Sequence, residues 1–202
     1  MARVANQNDL AQAFAARGWR VTRDETSMPS GELRLGDRVL LAILSKRSPN
    51  FPFHLGGWVT TDALSAAYTV MGYPRKRIAE SCPLARSPQI DIAKEVADDA
   101  DIDGAIAEWI AWGQRVDCDA AMDALLDKEA NGLGDMPARH LAALAATGAV
   151  DVLQGYADAF ASGDRLGFVP YITAGYLTTA LDFARQRRAN PDWLPRTPRM
   201  RV

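Results

Sequence analysis

The chain is poor in the residues that usually advertise chemistry: it has two cysteines and two histidines in 202 residues. Two cysteines, Cys82 and Cys118, cannot build a disulfide scaffold and fit a reducing compartment. No apolar run approaches the roughly 20 residues that a membrane-spanning helix needs. The opening Met-Ala-Arg-Val-Ala-Asn-Gln-Asn-Asp has no apolar signal core, so a cytoplasmic location is expected. Gly-x-Ser-x-Gly, Gly-x-x-x-x-Gly-Lys, the dinucleotide fingerprint and paired-cysteine zinc spacings are all missing, which removes the usual grounds for asserting catalysis, a cofactor or a metal. No catalytic residue is assigned, and the chain is expected to be non-enzymatic. The isoelectric point of about 5.7, without an aromatic–basic binding motif, argues against a nucleic-acid partner.

What is present is ordinary for a globular chain: 48% hydrophobic and 24% charged residues. A chain of this length buries roughly 70% of its unfolded surface and needs no covalent staple. Charge is segregated beneath a net of −2. Residues 1–90 hold 12 Lys/Arg against 7 Asp/Glu, residues 91–135 hold 3 against 13, and residues 136–202 hold 8 against 5. Segregation of this kind steers association with a charged partner, and solvated acidic helix faces also produce it.

Periodicity predicts the elements. Asn8 caps a first helix carrying Leu10, Ala13 and Phe14, and Gly18 stops it. Strand patterns follow around Trp19–Val21, around Leu33–Leu35, over the apolar run from Val39 to Leu44, and from Phe51 to Thr60. A helix with Leu64, Ala67, Tyr68 and Met71 ends at Gly72, and 74–88 reads as a long loop. The segment from Gln89 to Lys94 alternates as a last strand. From Asp101 the period turns helical and stays so, with Pro137 and Thr173 marking helix starts. The fold class is therefore α+β: a mostly antiparallel sheet of four to five strands with helices on one face, then an all-helical C-terminal part. The expected partition is a sheet-bearing domain over 1–132, a helical subdomain over 133–188 and a Pro/Arg-rich tail over 189–202.

Several side chains invite a functional reading. Asp99, Asp101, Asp103 and Gly104 match the first half of a calcium loop, but Ile110 stands where the bidentate glutamate belongs, so acids at a helix start explain them better. His140 is expected at the edge of the core with a hydrogen bond. His54 and Trp58, with the basic run Arg75, Lys76 and Arg77, are the candidate partner- or ligand-binding residues. Cys118 lies between Asp117 and Asp119, which disfavours a thiolate, and Cys82 is expected in friendlier surroundings. Trp109 and Trp112 share a helix face, and a sheet with one uncovered face would favour a homodimer.

The order helix, strands, helix, strand, helix over residues 8 to 116 is similar to that of the dimeric chaperones of type III secretion. That resemblance implies a non-catalytic protein that holds a partly unfolded client across a sheet-and-helix surface. The expected function is thus a cytoplasmic protein-interaction or chaperone-like role with a protein partner and no membrane. The alternative is a small-molecule binder or enzyme with a pocket between sheet and helical subdomain.

Overall fold

A computed structural model describes residues 3–23, 28–46, 48, 51–72 and 82–195. The elements run α1 (Gln7–Ala16), β1 (Arg20–Arg23), β2 (Pro29–Leu35), β3 (Arg38–Ser45), β4 (Phe53–Thr61), α2 (Asp62–Val70), β5 (Ala85–Arg86), β6 (Ile90–Ile92), α3 (Asp99–Arg115), α4 (Cys118–Leu126), α5 (Met136–Ala146), α6 (Val150–Ala161) and α7 (Ala174–Ala189). This is an α+β fold with an antiparallel sheet and a helical C-terminal part. By internal contacts the chain forms two units. One takes the chain up to Thr61 together with Pro83–Cys118; the other takes α2, Cys82 and everything from Asp119. The expected boundary is at 132, whereas this division groups α2 and the chain from Asp119 with the later helices.

In the first unit the strands follow the order β1-β2-β3-β4, with β5 and β6 both laid against the far side of β4. Among the described residues the sheet has six strands, one more than the upper end of the four to five expected. The extra one, β5, is two residues long and lies in the stretch expected to be loop. Register decides what each face carries, because successive side chains point to opposite sides. Leu40, Ala42 and Leu44 pair with Val59, Gly57 and Leu55, and Ile90 and Ile92 continue that face on β6. All eight are apolar or glycine, so this face is core. It receives Phe14 and Trp19 over Gly31, where an added Cβ would sit 3.1 Å from the indole of Trp19. It also receives α3, with Trp109 against Gly57 and Gly113 against Leu40. The two helices of this unit therefore lie on one face of its sheet.

The opposite face carries Arg20, Thr22, Ser30, Glu32 and Arg34 around a buried apolar centre of Val39, Leu41 and Trp58.

Local chemistry explains the helix starts. Asn6, not Asn8, caps α1, in a capping box completed by Asp9. Asp98 caps α3 in the same way with Asp101, so α3 begins before the expected Asp101. The guanidinium of Arg38 closes the other end of α3, donating to the carbonyls of Gly113, Gln114 and Val116 at 2.8–2.9 Å. Cation and carbonyls meet at the negative end of the helix dipole.

In the second unit α5 is buried nearly all round, from Pro137 to Ala146, and α2, α6 and α7 pack against it. Its alanines let those neighbours approach closely. Arg187 caps its C-terminus by donating to the Ala146 carbonyl at 3.1 Å. Among the described residues no helix is long and apolar enough to cross a membrane.

Candidate functional site

The free margin of the sheet is where β6 meets α3, wholly within the first unit. There, among the described residues, β6 pairs with β4 on one side only. A groove of about 410 Å³ runs beside it, lined by Ile90, Asp91, Ile92, Ala93 and Lys94 on one wall. Three of these residues, Ile90–Ile92, form β6, and their side chains alternate between faces, so that Asp91 points away from the side of Ile90 and Ile92. The outer backbone edge of this short strand adjoins the groove. The facing wall is Ala100, Asp101, Gly104, Ala105 and Glu108 of α3, a spacing that places them along one side of a helix. Ala100, Gly104 and Ala105 keep that wall shallow, and a Cβ built on Gly104 would meet nothing within 4 Å.

Charge at the groove is acidic. Lys94 ties the end of the strand to the first turn of α3 through Asp101 at 2.7 Å. That contact holds the Asp101 carboxyl below its usual range, helped by the backbone N–H of Asp98. Glu108 makes no ion pair among the described residues.

His54 opens β4 on the other face of the same margin, opposite Asp91 in register. Its Nδ1 lies 2.7 Å from Asp91 Oδ1 and 3.1 Å from the Gln89 amide nitrogen. That amide also sits 2.7 Å from Asp91 Oδ1. Two nitrogens that both donate to the carboxylate satisfy all three atoms, which places a proton on Nδ1. The hydrogen bond from His54, then that from Gln89, holds the Asp91 carboxyl below its usual range. The His54 side chain is 28% exposed and that of Asp91 46%, so the trio sits on the surface. His54 was expected from sequence; Asp91 and Gln89 were not. The only signal for them was the alternation that marked their segment as a strand.

The remaining candidates are spread out. Trp58 lies on the face of His54 but four residues along β4, about 13 Å away at strand rise, so the two make no common site. Arg75, Lys76 and Arg77 lie outside the described residues. Asp99 and Asp103 both bind the guanidinium of Arg17, at 3.1 and 2.5 Å, while Asp101 turns to Lys94. The three carboxylates thus diverge instead of gathering around one point, and no cluster able to hold a metal occurs among the described residues.

His140 is buried: its Nδ1 lies 2.9 Å from the Leu125 carbonyl, and its Nε2 lies 3.1 Å from the Tyr156 hydroxyl. Burial pushes its pKa down against the smaller upward pull of that carbonyl. The expectation for Cys82 is corrected. It is fully buried, and loss of solvent pushes its thiol up to about 12 despite the opposing influence of Arg139. The described arginines near the C-terminus are also engaged. Arg187 caps α5, Arg188 pairs with Asp151 at 2.8 Å, and Arg185 holds Asp182 and Gln154. Trp193, expected in a non-periodic tail, stands edge-on to Phe183 at 5.1 Å.

Residues 6–185 match the family described as "Family of unknown function (DUF6990)", and the chain belongs to it. No curated protein and no solved structure matches the chain.

Proposed function

We propose that this member of the DUF6990 family is a non-enzymatic, cytoplasmic protein-interaction protein that receives a polypeptide along the free margin of its sheet, beside α3. One observation carries the reading: β6 presents an unpaired backbone edge to an open groove walled by small residues. A free edge of this kind offers main-chain donors and acceptors to an incoming strand, whereas natural proteins usually blunt or cover it. A chaperone-like role, holding an extended client segment, is the form of interaction such an edge supports. The test is a benzoylphenylalanine photoprobe at position 104, compared with one at Gly155, which is exposed on α6 and equally unobstructed. A discrete protein adduct in living cells at 104 and none at 155 is the expected result. Adducts at neither position, or equally at both, contradict it.

A second reading, an enzyme or small-ligand binder, is favoured by the His54–Asp91 hydrogen bond, which orients the ring. Ser45 stands opposite His54 in register and donates to its carbonyl at 3.3 Å, so Ser45, His54 and Asp91 form a row across three strands. Hydrolysis of a p-nitrophenyl ester that disappears in His54→Ala would install this reading, and an unchanged background rate would remove it.

A further inference from the structure

We infer that the polypeptide received at this margin is an extended basic segment in which apolar residues alternate with lysine or arginine, added as a strand beside β6. This rests on the reading above and names its partner. Pairing with the edge of β6 fixes the incoming side chains at period two. Those on the helix side enter the hollow left by Ala100, Gly104 and Ala105, next to the buried Ile90 and Ile92, and only apolar side chains leave no unpaired polar atom there. Those on the opposite side emerge beside Asp91, and Glu108 stands at the rim without an ion-pair partner among the described residues.

Electrostatics selects the sign. Residues 89–108 carry seven carboxylates and one lysine, and with Lys94 on Asp98 and Asp101 and Arg17 on Asp99 and Asp103 the stretch stays net negative, so an acidic strand would meet like charge and a basic one would be steered in. Nucleic acid and anionic membrane are disfavoured for the same reason. A second copy of the chain is the competing occupant, because β1 (Arg-Val-Thr-Arg) is itself a basic edge strand. The arginines of β1 are, however, already engaged, Arg20 with Glu32 and Arg23 with Asn8. Joining the two edges of one sheet would also build an open-ended fibre.

The probe is a fluorescein-labelled peptide of about eight residues, alternating valine and lysine, titrated with the full chain and read by anisotropy. Its controls have the same composition in two blocks, and glutamate in place of lysine. The alternating basic peptide is expected to bind at least about tenfold tighter than either control. Gly104→Leu, which fills the groove from an unobstructed position, and Glu108→Lys are each expected to weaken it about tenfold, with thermal melts showing both variants folded. Equal affinity for blocked and alternating peptides, or full binding by Gly104→Leu, overturns the inference. So does self-association of the free chain that Arg20→Glu abolishes, since this would give the margin to β1 of a second copy. If the photoprobe at 104 captures a protein while the peptide fails to bind, this inference falls and the reading beneath it stands.

Discussion

Three glycines show how far a single residue decides outcomes here. A Cβ on Gly57 would lie 1.8 Å from the Leu41 carbonyl oxygen, and one on Gly113 2.3 Å from Leu40 Cδ2. Gly104 meets nothing. Gly57→Ala is therefore expected to lose about 2–3 kcal/mol or more through overpacking against backbone. Gly104→Ala is expected to gain about 1 kcal/mol from helix propensity. Urea unfolding of the pair measures the contrast. His140 gives the pH dependence. Its folded-state pKa is depressed, so the unfolded chain binds the proton more readily. Stability is fully present above the unfolded value near 6.5 and falls as pH drops from there toward the folded value. Chemical denaturation at pH 7.5 and at successively lower pH should show this loss, and His140→Phe should abolish that dependence. Its partners are the Leu125 carbonyl and the partly buried Tyr156 hydroxyl. Leaving them unpaired in that variant costs about 1–3 kcal/mol. Cys82, with its thiol near 12, and the buried Cys118 should not react with a thiol reagent at pH 8 until the chain unfolds.

At the scale of elements the caps carry the argument. Asp98 accepts the Asp101 N–H while Asp101 returns the bond to Asp98, and both acids lie at the positive end of α3. Asp98→Ala is expected to cost about 1 kcal/mol, measured as a shift of the urea midpoint at constant slope. Asp99, Asp101 and Asp103 resemble half a calcium loop in sequence, and their separate engagement by Arg17 and Lys94 explains why that likeness goes no further. Helices and long strands were legible because apolar period and cap residues coincide within each segment, as in α7 with Thr173 and α5 with Pro137. The two-residue β5 was not, since a pair that short has no period to read. Arg38 and Arg17 were equally hidden. Each acts on carbonyls or carboxylates more than 70 residues away, and only tertiary structure brings those together. Of the candidate site, His54 could be seen and Asp91 could not, because register across strands decides which residue stands opposite another.

The whole molecule turns on where its charge lies relative to the strand edge of β6. The acidic stretch from Asp91 to Asp135 begins at β6 and continues into α3, so the sign of the margin follows from sequence even though the edge does not. Binding of a cationic strand there is expected to weaken by about tenfold or more between 0.05 and 0.5 M salt, as exposed charges are screened. Binding that is indifferent to salt would argue for apolar docking alone. The most direct measurement is a backbone amide spectrum of the ¹⁵N-labelled chain titrated with the alternating valine–lysine peptide. Shifts concentrated in Ile90–Lys94 and Ala100–Glu108 are predicted. Shifts spread over the acidic surface, or confined to the second unit, would contradict the assignment of this margin as the place where the chain meets its partner.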